Sequence, residues 1–235
     1  MGVNYDGILV IGDPHAGRVG PVSRASGYGV EVLRKLSYAA WLSREWRLLP
    51  LITGDLLNRG DGETSVGYLT ELMKILKTFY GGCVRTVGGN HDYGQGEVAQ
   101  GSAYELLLVG DGVRQHSGGY MEDVEVAGKR LRLGYYGHGE DLPREVDAQG
   151  VEEVWLLTHH DLAFGEAYPG CMELFEIKGV SRVINGHMHG VKLPQQRGMT
   201  QWLNLGNITR RERRDELQCP NVWVWPKKDW EWKEE

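Results

Sequence analysis

Asp13, His15, Asp55, Asn90, His159, His187 and His189 are the side chains of this sequence best suited to chemistry. Each is an oxygen or imidazole donor, and each follows closely on a short apolar run. The runs end in Asp13-Pro14-His15, Gly54-Asp55, Gly88-Gly89-Asn90-His91-Asp92, Thr158-His159 and Gly186-His187-Met188-His189. Mixed oxygen and imidazole donors suit Mn, Fe or Zn better than Ca or Mg. Seven donors exceed the four or so that one such ion takes, so two divalent transition-metal ions are expected, with Asp55 as the carboxylate between them. Manganese comes first, iron or zinc otherwise. Paired ions ~3.5–4 Å apart serve hydrolysis at phosphorus: they polarise the phosphoryl oxygens, and a water between them becomes hydroxide near neutral pH and attacks in line. Within Asn90-His91-Asp92, the Asn is a neutral oxygen ligand, the His can ligate or carry protons, and the Asp can orient a His.

These residues need elements to hold them. Ile8-Leu9-Val10-Ile11, Leu48-Leu49-Pro50-Leu51-Ile52 and Val84-Arg85-Thr86-Val87 read as buried strands. Residues two apart on extended chain point the same way, so Asp13 and His15 can serve one centre. Val30, Leu33, Leu36, Ala40 and Trp41 predict a helix over 30–46. Val66, Leu69, Leu72, Met73, Leu76 and Phe79 predict a second, begun by Thr64 or Ser65 and stopped by Gly81-Gly82. The first ninety residues thus read as β-loop-α-β-α-β with polar residues at each strand tip, where open α/β sheets place their sites. A third helix is expected over 98–108 and a hairpin from Tyr120–Val126 and Leu131–Tyr136. Further strands are expected over 151–158 and 180–184, with a short helix over 171–179 between them. Trp202-Leu203-Asn204-Leu205 and Val222-Trp223-Val224-Trp225 read as closing strands, and the Trp-rich end as packing. His138, in Gly137-His138-Gly139, reads first as a loop histidine and second as one within reach of the site. The Ala16–Gly29 loop carries Arg18 and Arg24, and Arg210-Arg211-Glu212-Arg213-Arg214 is a basic run; both read as solvated.

Composition narrows the classes. The chain has 235 residues, 41% apolar and 25% charged, with a net charge of −6. That length suffices for one large domain or two small ones, with a single domain over 1–235 the expectation here, and the charge argues against a broad nucleic-acid face. Cys83, Cys171 and Cys219 are odd in number and form no C-x-x-C pair, which suggests reduced thiols and a cytoplasmic protein. None lies in a ligand motif, so a closed structural zinc site is disfavoured. No segment is apolar enough to predict a membrane span or signal peptide. The phosphate loop, the dinucleotide-binding glycine fingerprint and the G-x-S-x-G elbow are all missing.

Taken in order, the motifs D-x-H (Asp13, His15), GD-x-x-N-R-G (Gly54 to Gly60), GNHD (Gly89 to Asp92), the strand-end His159 and GH-x-H (His187, His189) resemble the calcineurin-like metallophosphoesterase superfamily. The resemblance spans roughly residues 8 to 190. It implies a four-layer α/β/β/α sandwich of two mixed sheets flanked by helices. It also implies that Asp13, His15, Asp55 and His189 hold one ion and Asp55, Asn90, His159 and His187 the other. His91 looks like the family's non-ligand histidine, which protonates the leaving oxygen or holds phosphate, with Asp92 or Asn58 orienting it. Arg59 looks like the arginine that forks onto phosphate oxygens in the serine/threonine phosphatase branch, so Arg59, Asn90 and His91 form the expected substrate contacts. Asp161 stands where the phosphodiesterase branches often carry Pro, and Asn58 where the phosphatase branches carry Asp. The chain is too short for the added capping domain of the superfamily's DNA-repair nucleases. The function implied is a two-metal phosphoesterase acting on a phosphorylated small molecule, nucleotide or phosphoprotein, leaning to a phosphomonoester. A phosphodiesterase on a cyclic nucleotide or nucleic acid is the alternative, and a non-catalytic scaffold the remote one.

Overall fold

Apolar runs with no polar residue in them must be covered on both faces, and the computed structural model of the chain shows how. It describes residues 3–18, 27–60, 65–93, 100–165, 168–208 and 222–226. Strand β1 (Gly7–Ile11) and β2 (Leu48–Ile52) are fully buried and pair in parallel. β3 (Val84–Val87) and β4 (Val113–His116) continue the sheet in parallel. A last strand, β11 (Val222–Trp225), closes its other edge antiparallel to β1, which gives the order β11-β1-β2-β3-β4. The second sheet starts with the expected hairpin, β5 (Tyr120–Val126) and β6 (Lys129–Tyr136). It runs on through β7 (Glu153–Thr158), β8 (Arg182–Asn185) and β10 (Thr200–Asn204), and ends on β9 (Lys192–Arg197).

The two mixed sheets face each other. Ile8, Val10, Leu49, Leu51 and Val87 meet Leu131, Leu133, Tyr135, Trp155, Leu157 and Ile184 between them. The alternate residues Leu9, Ile11, Leu48 and Ile52 point outward, against helices α1 (Tyr28–Glu45), α2 (Val66–Lys77) and α3 (Ala103–Val109). Of the two candidate caps for α2 the chain uses Ser65, whose hydroxyl accepts from Tyr68 N at 3.2 Å. Ser102 does the same for α3, accepting from Glu105 N at 3.1 Å, which fixes that helix's start at 103 rather than the expected 98; residues 94–99 lie outside the described residues.

The short helix expected over 171–179 is not formed. Leu174, Ile177 and Val180 recur every three residues, a spacing that reads as helical. Their backbone bonds go elsewhere: Met172 N donates to Asp161 O at 2.8 Å and Lys178 N to Arg144 O at 3.0 Å. The segment lies extended over the outer face of the second sheet, and its apolar side chains pack on Val154, Leu156, Val183 and Trp202. One outer layer is thus helical, and the described part of the other is irregular chain. Trp223 and Trp225 pack against Trp155, with ring centroids 5.8 and 4.9 Å away, so these two tryptophans are packing residues as expected. Because β1, β2 and β3 are mutually parallel, and β6, β7 and β8 likewise, every motif sits just past the C-terminal end of a strand.

Candidate metal centre

The site begins with buried carboxylates that tie strand tips together. Asp13 Oδ1 accepts the Thr53 hydroxyl at 2.7 Å and Oδ2 accepts the His187 N–H at 2.7 Å. Its carboxylate therefore joins the turns after β1, β2 and β8. Asp55 Oδ1 accepts the His91 N–H at 2.8 Å. Its other oxygen accepts no hydrogen bond and lies 3.5 Å from His15 Nε2 and 3.4 Å from His159 Nε2. Asp13, His15, Asp55 and His159 are each at most 1% exposed.

The imidazoles are set by what holds their far nitrogens. His159 Nδ1 lies 2.8 Å from the Thr53 carbonyl oxygen, which only accepts, so Nδ1 carries the proton. Nε2 then presents its lone pair to Asp55 Oδ2 and, at 3.3 Å, to Asn90 Oδ1. His187 Nδ1 is 2.9 Å from that same Asn90 oxygen. The His189 ring lies 5.1 Å, centroid to centroid, from the His15 ring. Two donors on one ion at ~2.0–2.2 Å, subtending ~90–110°, stand roughly 3.0–3.5 Å apart. The separations found here match that spacing, and the lone pairs face each other in pairs that only a cation or a proton reconciles. The residues fit a divalent metal site on this ground.

Electrostatics say the same. Burial disfavours a charged His159, yet the carboxylates of Asp55 and Asp13 outweigh it and lift its pKa to about 9. Burial would raise Asp55, but His159 above all holds it well below the usual carboxylate range. Asp13 is pushed up to about 6, chiefly by burial, with His159 opposing and Asp55 adding. Carboxylates that favour the charged form of a fully buried imidazole concentrate negative charge at this point, which is the balance a cation site needs.

Three of the candidate ligands stand on strained backbone. His15, Asp55 and His187 have φ of 46°, 45° and 68°, left-handed values that cost a non-glycine residue on the order of 1–3 kcal/mol each. Main-chain bonds hold them there: His15 N donates to Asp55 O and Ala16 N to Leu56 O, both at 2.8 Å. Gly89 is needed for close approach, since a Cβ on it would stand 2.1 Å from Asp55 Oδ1 and 2.3 Å from Asp55 N. Gly89→Ala is therefore expected to cost roughly 1–3 kcal/mol of stability through overpacking. A thermal melt of the metal-free protein, lowered by about 2–4 °C per kcal/mol, reads it; an unchanged melt would refute the contact.

The structure thus gathers Asp13, His15, Asp55, Asn90, His159, His187, His189 and His91 at one end of the sandwich. His91 lies against this group, its ring 4.9 Å from that of His15. The alternatives for orienting it resolve onto Asn58, whose carbonyl oxygen is 2.8 Å from His91 Nδ1. Asp92 instead accepts the main-chain N–H groups of Leu56, Leu57 and Gly89 at 3.2, 2.9 and 3.1 Å. It builds the turn rather than touching the imidazole. Burial first, with Asp55's charge adding, pushes its pKa to about 7. His160 turns away from the site, to the Glu140 carbonyl at 2.6 Å. Arg59 and Arg18 are exposed; Arg24 and the run 210–214 lie outside the described residues.

Two residues beside the site are absent from the expected set. His138 is exposed, its ring 5.3 Å from that of His187 and 6.2 Å from that of His159. Its N–H donates to Gly88 O at 2.9 Å, which ties its loop to the Asn90 turn. Asp161 Oδ2 stands 3.0 Å from His187 Nε2. The signal for Asp161 was its position two residues after His159, the same spacing that pairs Asp13 with His15. The signal for His138 was its place just past the strand run that ends at Tyr136, and its glycine-flanked loop made a solvated histidine the first reading.

No curated protein matches the chain. Among solved structures, phosphopantetheinyl hydrolase (PptH) from Mycobacterium tuberculosis superposes with a TM-score of 0.53 at 12% identity, covering 97% of this chain and 98% of that one. A hypothetical protein from Thermus thermophilus gives 0.47 at 17% identity, covering 86% of this chain and 76% of that one. Among the described residues no helix is long and apolar enough to cross a membrane. The model of the calcineurin-like phosphoesterase family matches residues 7–191, and with the donor cluster at its centre the chain belongs to that family as a metal-dependent hydrolase of phosphate esters.

Proposed function

We propose that this single domain, residues 1–235, is a phosphatase that removes phosphate from a phosphomonoester or a nucleotide-type phosphoanhydride. The observation that carries the reading is the position of Arg59. On one side of it the Asn58 carbonyl holds His91 Nδ1 at 2.8 Å, and on the other Gly60 N donates to His91 O at 2.7 Å. Arg59 is therefore bracketed by bonds to the candidate proton carrier. It is exposed, and among the described residues no carboxylate pairs with it. A guanidinium fork matches the doubly charged terminal phosphate of a monoester better than a diester's single charge.

Asp13, His15, Asp55 and His189 would hold one divalent ion and Asp55, Asn90, His159 and His187 the other, with manganese first and iron or zinc next. When bound, the ions supply Lewis-acid polarisation and activate water. The chain's own groups do the rest. The Asn58 carbonyl keeps the proton on His91 Nδ1, which leaves Nε2 to carry the proton that the leaving oxygen needs. Arg59 would fork onto the phosphate, with Asn90 and His91 as the other substrate contacts. The free thiols of Cys83 and Cys171 support a reducing, cytoplasmic setting.

With Mn²⁺ added, p-nitrophenyl phosphate is expected to be hydrolysed faster than bis-p-nitrophenyl phosphate. A diester preference would overturn the monoester reading and leave the phosphodiesterase one, which His138 favours as an exposed imidazole at the mouth of the site. No activity on either, with no bound metal, would point to the scaffold.

A further inference from the structure

We propose that Asp161 is a positioning residue for His187: its carboxylate fixes the imidazole's tautomer and plane, and the Tyr168 hydroxyl fixes the carboxylate in turn. This rests on the reading of His187 as a metal ligand.

His187 has both ring nitrogens engaged in opposite directions. Nδ1 lies 2.9 Å from Asn90 Oδ1 and Nε2 lies 3.0 Å from Asp161 Oδ2. An ionised carboxylate only accepts, so Nε2 carries the proton of the neutral ring and Nδ1 keeps its lone pair for the space shared with Asn90. His159 shows the same division of labour, with the Thr53 carbonyl taking one nitrogen and the oxygen cluster facing the other. The two differ in their surroundings. His159 is fully buried and held by main chain, whereas the His187 side chain is 20% exposed and stands on left-handed backbone. Here a side chain from a different strand end supplies the acceptor, and a charged acceptor also makes the imidazole a stronger donor to a cation.

Asp161 is itself held on three sides. Tyr168 donates its hydroxyl to Oδ1. The Asp161 carbonyl accepts from Met172 N at 2.8 Å. The preceding residue, His160, exchanges two bonds of 2.9 Å with the Asn185 side chain. This is also what the extended run at 171–172 accomplishes: it clamps the loop that carries the carboxylate. His138, Asp161 and His187 stand close enough to hold a further ion. That use competes with the arrangement described, because a neutral imidazole has one lone pair and His187 already directs it at Asn90.

The test is titration of metal-free protein with Mn²⁺, with free ion followed by electron paramagnetic resonance. Wild type is expected to bind two ions. Asp161→Ala is expected to weaken one of them by about 10–100-fold, the usual effect of losing such an outer carboxylate, and to leave the other unchanged. Asp161→Asn keeps an oxygen without the charge and should fall between. It also carries the test if the alanine variant fails to fold. Two ions at wild-type affinity in both variants would overturn the proposal. So would three ions in wild type with only the third lost on substitution, because Asp161 would then be a ligand. His187→Ala separates the two levels: if it loses an ion while both Asp161 variants keep theirs, this inference alone fails, and if it loses none, the reading of the site fails with it.

Discussion

Asp55→Asn is expected to lose both metal ions and nearly all turnover while the protein still folds. The argument is local. Asp55 Oδ1 accepts the His91 N–H, and an asparagine oxygen can do the same. What changes is Oδ2, which accepts no hydrogen bond and stands 3.5 and 3.4 Å from the imidazoles of His15 and His159 on its two sides. It stands between an imidazole assigned to one ion and an imidazole assigned to the other. An amide there removes the shared negative charge and turns a donor N–H₂ toward the metal positions. Metal contributions of several kcal/mol to the transition state, at 1.36 kcal/mol per tenfold, correspond to roughly a 10³-fold loss or more. Metal analysis of the purified variant, beside its turnover, checks this. Full occupancy by two ions would refute Asp55 as the bridge, whatever the rate.

His91→Ala is expected to give the complementary result, with metals retained and turnover reduced by about 10²–10⁴-fold, the range for lost acid–base help. The His91 main chain serves Asp55 and Gly60 through its N–H and carbonyl, and alanine keeps both bonds. Only the imidazole is lost, and with it the Nδ1 contact to the Asn58 carbonyl. A protein with normal metal content and normal turnover would remove His91 from the mechanism. Low metal content would instead make it a ligand, a use that its proximity to His15 and Asp55 allows.

Much of this was legible in the sequence because the physics behind it is local. Uninterrupted apolar runs force strands buried on both faces, and β1 and β2 follow; β3, Val-Arg-Thr-Val, is buried as fully although its two middle residues are polar. The donors come immediately after those runs, so their places at strand ends were fixed by chain length alone. Edge strands were harder to read. β4, Val-Arg-Gln-His, and β9, Lys-Leu-Pro-Gln-Gln-Arg, bury little and show no apolar period, and the Pro in β9 suits only an edge. The helix expected over 171–179 failed for the opposite reason: a three-residue apolar spacing is shared by a helix and by an irregular segment laid over a sheet, and only its pairing with 144–145 and 161–162 decides between them.

The sequence by itself determined which residue types would form the centre, because ligand chemistry is a property of side chains. Tertiary structure decided their partners, because partnership depends on contacts between residues far apart in the chain. It put Asn58's carbonyl rather than Asp92's carboxylate on His91, and it used Asp92 to tie the turn after β2 to the turn after β3. It also turned His160 away and brought Asp161 onto His187. Adjacent residues at one strand end point to opposite sides, and what each side meets is set by the second sheet's own loops.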